Sequence, residues 1–381
     1  MRVSTIGSTG RAEHAPTEHE IIPVGDATRV APIVDEWRDL AARIDGSSYF
    51  QTPDWVLASW DDAGRPPAEL ALWRDASGAL EAVVCLARTR ERLVRQLPLV
   101  VRTTTNLGSG RPHSADHCGW PVLPNRVSDV QRWLARHRWR NALVLRHLDP
   151  QTGVPLVPPG ARCVLTTKCP RLVSAGSADA PIGSTKLRAT IRRSKRKLDA
   201  LGVSFSWIPP EAMRPDDVDL LFTLSESRRS IKGPSSFIRE RAADFHRALI
   251  RRGGPGRGPA MVLATQHGEP IGILYGFVWR DTFSYYQSGW NASWATLSIG
   301  TVLVSEAIRI TMERGLRCFD FLRGAEWYKY RFGGVDRLDE TWLLPRGSSG
   351  WLVRGKYRLL RMQRVLRGVR GRPSGDQGDA S

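Results

Sequence analysis

Residues 318–334 read CFDFLRGAEWYKYRFGG. A short apolar run is followed at once by Arg323, Glu326, Tyr328 and Lys329, with Asp320 inside the run. Carboxylates can take protons, a phenol can give one, and Arg or Lys can hold an anion. The spacing therefore suits proton transfer beside an anionic group. The same residues also have structural readings: Asp320 paired with Arg317, Arg323 or Lys329, Glu326 exposed, and Trp327 and Phe332 in a core. Cys318 has no evident histidine partner, so it is not read as a nucleophile.

A second constellation lies upstream. The order strand, turn, helix over 285–314 carries the turn TLSIGT. Gly300 lets a backbone come close to a ligand, Ser298 and Thr301 add hydroxyls, and the helix behind them offers free N–H groups and a positive dipole end. Such a turn holds a pyrophosphate or similar anion; it equally describes an ordinary capped helix. The sequence contains no P-loop, no GxGxxG after a strand and no HExxH.

The elements that must position these residues follow from periodicity. Residues 31–44 have a helical apolar face, Thr52 and Pro53 open a second helix, and AELALWRD and ALEAVVCLARTRE read as a hairpin. RTTTNLG reads as a strand, GRPHSADHCGWPVLPN as a loop, VSDVQRWLARHRW as a helix capped by Ser128, and NALVLRHL as a buried strand. Residues 150–184, rich in Pro, Gly, Ser and Thr with one weak strand (162–167), mark a domain boundary. Beyond it come a helix capped by Ser184 or Thr185, a strand, two helices, three antiparallel strands (261–266, 270–279, 282–289), a helix and the strand RCFDFLRG. The expected organisation is a disordered 1–20, a first domain at 21–180, a second at 181–345 and a basic amphipathic tail at 346–381.

Charge is concentrated rather than spread. The chain carries a formal +18. Residues 186–199 hold seven Lys or Arg against one Asp, and residues 346–381 hold nine against two. Nucleic acid, an anionic membrane or phosphorylated small molecules are the partners such segments fit. The tail interleaves Trp351, Val353, Tyr357, Leu359, Leu360, Val365 and Leu366 with arginines, so it can lie on a membrane surface or dock on the protein. There is no apolar run of spanning length and no secretion signal. The five cysteines lack CxxC spacing, and His113 and His117 lack a metal-like partner set. These features point to a reducing compartment, by default the cytoplasm, and to no metal.

YYQSGWNASWATLSIGTVL, RRSKRKL and FDFLRGAEWYKYRFGG, with FQTPDWVLASW, ALEAVVCLAR and SADHCGWPVLP in the first half, resemble the GNAT acyltransferases. The resemblance is narrower to the CelD-like (cellulose biosynthesis protein) acetyltransferases, relatives of the Fem-type peptidyltransferases. It covers roughly residues 30–345. It implies an α/β (α+β) fold of tandem GNAT-like domains, each a mixed, mostly antiparallel twisted sheet flanked by helices, the first degenerate. It also implies acyl transfer from acetyl-CoA or another acyl-CoA to an amine or hydroxyl of a small or glycan-precursor acceptor. The implied donor contacts are Gln287, Ser298, Ile299, Gly300 and Thr301. Tyr286 and Arg323 would bind acceptor, and Asp320, Glu326, Tyr328 and Lys329 would act in catalysis, with Tyr285 or Tyr286 as further acids. The usual pyrophosphate signature, Q/R-x-x-G-x-G/A, is reduced here to one glycine. Fem-type relatives use aminoacyl-tRNA, which the basic segment fits. A catalytically idle scaffold bound to RNA or membrane is the remaining expectation.

Overall fold

The computed structural model describes residues 19–370 except 95–96, 111–112, 114, 151–155, 175–181 and 233–238. Most of the expected disordered 1–20 segment and the last eleven residues of the tail lie outside the described residues.

The first half runs β1 (His19–Pro23), α1 (Ala27–Val30), α2 (Ile33–Arg43), α3 (Pro53–Asp62), β2 (Ala68–Arg74), β3 (Leu80–Arg92), β4 (Val100–Asn106), α4 (Val127–Arg136) and β5 (Ala142–Leu148). Then comes β6 (Arg162–Val173), followed by α5 (Thr185–Ala200) and β7 (Val203–Ile208). The second half continues with α6 (Asp217–Lys232), α7 (Arg239–Arg252), β8 (Gly258–Gln266), β9 (Glu269–Trp279), β10 (Thr282–Trp290), α8 (Ile299–Glu313), β11 (Cys318–Asp320), α9 (Trp327–Arg331), β12 (Val335–Leu344) and α10 (Gly347–Arg370). Apart from α1, the order strand, two helices, three strands, helix, strand occurs twice: from β1 to β5, and from β7 to β11.

All strands among the described residues belong to one 12-stranded sheet in the order β1-β2-β3-β4-β5-β12-β6-β11-β10-β9-β8-β7. Pairing is antiparallel except at β4–β5 and β10–β11. The fold is thus mixed α/β, GNAT-like, with a mostly antiparallel sheet flanked by helices. The strand that follows each repeat crosses over: β6 pairs with β11 of the second half, and β12 with β5 of the first. Their mutual pairing closes the middle of the sheet.

Local chemistry explains most elements. Thr52 caps α3 through Trp55 N with Pro53 behind it, and Ser184 caps α5 through Leu187 N. α5 and α8 cover one face of the second half through Leu187, Leu198, Val302, Leu303 and Ala307. The other face packs α3, α6 and α7 around Trp55, Phe222, Phe245 and Phe277.

Several expectations need correcting. α4 starts at Val127 with Arg126 at the N-cap, because a 3-10 turn at Pro124–Arg126 sets the helix before Ser128. The strand expected at 162–167 runs to Val173. The strand expected over RCFDFLRG ends at Asp320, and the segment expected as a turn contains α9. β1 and β12 were not expected.

Candidate functional site

The parallel pairing of β10 with β11 covers only Thr282–Cys318, Phe283–Phe319 and Ser284–Asp320. Past Asp320 the chain stays with β6: Phe321 N donates to Pro170 O at 3.0 Å and Gly324 N to Lys168 O at 2.9 Å. β10 instead stays with β9 as far as Trp290, its register shifting at Tyr286. A bulge adds a residue on one strand and bends it. The two strands therefore open into a wedge whose apex is Ser284–Asp320.

α6 and α8 complete the wedge. A Cβ on Gly289 would lie 2.3 Å from Ser225 N, so only glycine lets α6 approach β10 this closely. One turn further along α6, the Arg228 guanidinium sits 4.7 Å from the Trp290 ring centroid, and its Nε is buried without a hydrogen-bond partner. At the start of α8, Ser298 adopts the left-handed conformation (φ 56°) and makes no side-chain cap. Thr301 N and Val302 N donate to Ser298 O, which leaves the Ile299 and Gly300 amides without an acceptor inside the helix. Gly300 has a packing role as well, since its Cβ would lie 2.9 Å from Trp290.

Two phenols meet in the wedge. The Tyr285 ring lies 6.1 Å from Phe319 and 6.5 Å from Phe321, and Tyr328 lies 6.3 Å from Phe321 across the gap. Tyr285 Oη is 2.6 Å from Ser288 Oγ. Desolvation pushes both phenols up, although Tyr328 keeps 37% of its surface exposed; their mutual interaction and the Glu326 charge also act on them, and Arg228 pulls the other way. Both stay protonated at neutral pH. Glu326 is half exposed and 2.9 Å from Lys329 Nζ.

The other sequence-selected residues go elsewhere. Tyr286 faces an aromatic cluster, 5.2 Å from Phe277, 5.4 Å from His246 and 6.1 Å from Trp55. Ile299 is fully buried in the core, and Gln287 and Thr301 are half-buried. Lys329 is buried, its ammonium donating to the carbonyls of Leu322, Arg323 and Gly324 at 3.0, 2.7 and 3.1 Å; it shapes the turn after β11. Arg323 is turned away from the wedge, paired with Asp116 at 2.5 Å, His147 at 3.2 Å and Ala115 O.

Asp320 is fully buried, and its partners differ from the three cations considered from sequence. Oδ1 accepts from Leu322 N at 2.8 Å; Oδ2 lies 3.0 Å from His117 Nε2 and 3.9 Å from Arg337 Nη1. His117 comes from the first half. Its other nitrogen, Nδ1, is 2.7 Å from Asp339 Oδ1. Burial and Arg337 oppose a charge on His117, but the two aspartates outweigh them and push it up to about 10. Burial likewise raises Asp320, but His117 and Arg337 win and its carboxyl is lowered. Arg337 also pairs with Asp149. His117, Cys169 and Asp339 bring ligand-type atoms within 4.8 Å of one another. Both His117 nitrogens already face carboxylates, so the cluster acts as a charge clamp between the two halves. The histidine was legible only as a loop residue, since its partners lie about 200 positions away.

The equivalent wedge of the first half is closed. β4 and β5 pair over three residues, after which the Asn106 side chain donates to Arg146 O at 2.9 Å and accepts from Arg146 N at 2.8 Å. The β10–β11 opening thus has no open counterpart between β4 and β5.

Residues 185–330 match the family model of the acetyltransferase (GNAT) domain. The match spans α5 to α9, the elements that build the open wedge. Among solved structures, FemX superposes with a TM-score of 0.58 at 10% identity, over 81% of this chain and 95% of that one. The C-terminal domain (DUF2156) of a putative lysylphosphatidylglycerol synthetase from Agrobacterium fabrum gives 0.53 at 13% identity, over 88% and 97%. L-PGS from Bacillus licheniformis gives 0.50 at 12%, over 75% and 88%. These likenesses concern the fold alone. Comparison with curated proteins found no match.

Proposed function

We propose that the β10–β11 wedge transfers an acyl group from acyl-CoA to an amine or hydroxyl of a small or glycan-precursor acceptor. The carrying observation is the wedge itself: strands parted after three pairs, two protonated phenols inside, and the start of α8 beside them with Arg228. The GNAT match over the same elements supports the reading.

The donor pyrophosphate would meet Arg228 and the Ile299 and Gly300 amides. The acceptor nitrogen or oxygen attacks the thioester carbonyl carbon and loses its proton to Glu326; the C–S bond then breaks and the thiolate leaves. Tyr285 and Tyr328 are better placed as donors to the tetrahedral oxyanion than as acids. A phenol raised above about 10 would have to protonate a thiolate of ordinary pKa near 8.5, an uphill transfer. Asp320, ion-paired at the apex, would position β11 rather than accept a proton.

A second donor, aminoacyl-tRNA, is favoured by one feature. α5 exposes Lys186, Arg192, Arg193, Arg196 and Lys197 beside a cavity of about 820 Å³ lined by Lys186, Trp327, Tyr330 and Arg331. One of the matched folds also carries a lysylphosphatidylglycerol synthetase name.

Calorimetric titration with acetyl-CoA separates the two. Binding by the wild type that Arg228→Ala weakens supports the CoA reading. No CoA binding, with salt-sensitive tRNA binding in its place, moves the donor to tRNA.

A further inference from the structure

α10 is apolar on two opposite sides. Val353 and Tyr357 are buried against Ala142, Val144 and Leu343, with Leu360 beside them. Lys356 pairs with Glu91 and donates to Arg92 O at 2.8 Å, which fastens the helix to the β3–β4 hairpin. The inner face is therefore satisfied. The outer face carries Trp351, Leu352, Leu359 and Met362, exposed by 71, 51, 57 and 60%. Positions 351, 355, 359 and 362 fall on one line of a helix, and Gly355 leaves that line without a polar side chain. Arg354, Arg358 and Arg361 form a parallel line along its edge. Leu97 and Leu99, at 48% and 52% exposure, are further exposed apolar side chains, in the connection between β3 and β4.

An apolar stripe bordered by arginines is complementary to a surface that is apolar within and anionic at its rim. A bilayer containing acidic phospholipid has that profile: Trp, Leu and Met enter the boundary between headgroups and acyl chains while arginines meet phosphates. No described helix is long and apolar enough to cross a membrane. We propose that the outer face of α10 docks the protein on the surface of an anionic phospholipid membrane, its inner face remaining packed on the sheet. The docking is independent of the acyl donor.

The test is flotation of the full chain with vesicles of phosphatidylcholine alone and of equal parts phosphatidylcholine and phosphatidylglycerol. Binding to the anionic vesicles that weakens as salt rises is the expected result. Replacing Arg354, Arg358 and Arg361 together with Gln is expected to lower partitioning roughly a hundredfold. Trp351→Ser with Leu359→Ser should also release the protein, with its melting temperature unchanged because both side chains face outward. Equal binding to both vesicle types, or variants that bind like the wild type, would overturn the proposal. So would a dimer that the Trp351→Ser, Leu359→Ser variant converts to monomer in the absence of any vesicle binding, since the face would then pair with a second copy.

Discussion

His117 Nε2 stands 3.0 Å from Asp320 Oδ2, across the junction of the two halves. Asp320 is the last residue of β11 paired to β10, so the first half pins the apex of the wedge that opens in the second. With Asp339 on its other nitrogen, His117 is an imidazolium between two buried carboxylates. Removing it would take the near cation from both and leave Asp320 with the more distant Arg337, at 3.9 Å. His117→Ala is expected to cost about 3–5 kcal/mol, read by urea denaturation. A cost within experimental error of zero would contradict the clamp.

The same pair predicts a pH dependence. His117 in the fold titrates at about 10, above its ordinary 6.5. A raised pKa contributes stability that is complete below the unfolded value and is lost as pH rises through the folded one. The contribution is on the order of 4 kcal/mol. Melting temperature should therefore fall between pH 7 and about 10.5 by more in the wild type than in His117→Gln. Parallel curves for the two proteins would show that His117 is not charged in the fold.

Gly300 is a packing residue as well as a candidate donor contact. A methyl group there meets Trp290, itself 8% exposed and covered by Arg228. Gly300→Ala should cost about 1–3 kcal/mol, and Trp290→Leu in the same chain should recover part of it. Chemical denaturation of the four proteins of this cycle measures the coupling; strict additivity would mean the two residues do not press on each other.

Lys329 lies next to Tyr328 in sequence, yet its ammonium is spent on three carbonyls and Glu326. Lys329→Met leaves buried carbonyls unsatisfied and should lower stability by about 2–4 kcal/mol. A variant with unchanged melting temperature and lost activity would instead argue for direct chemistry at this residue.

Much of the fold was legible because local pattern and tertiary environment agree. The caps at Thr52 and Ser184, the β8–β9–β10 meander and the apolar face of α8 follow their sequence signals. β12 was missed because its buried positions are Arg337, Asp339, Thr341 and Leu343: the inward side of VDRLDETWLL is charged where it meets His117 and Asp149. β6 looked like a linker because it lacks a clean alternation, although it lies in the middle of the sheet. At the site, the family resemblance drew attention to Tyr328, and local chemistry to the Ser298–Thr301 turn. Choosing between Tyr285 and Tyr286 required the bulge, and no local signal pointed to Arg228, which arrives on α6 through the close approach at Gly289.

Acyl transfer in the wedge can be read as thiol release from acetyl-CoA in the presence of a panel of amine and hydroxyl acceptors. Release above the uncatalysed rate is expected of the wild type, lowered on the order of a hundredfold in Tyr328→Phe with melting temperature preserved. Equal release by both proteins, or none by a folded wild type with any acceptor, would contradict it.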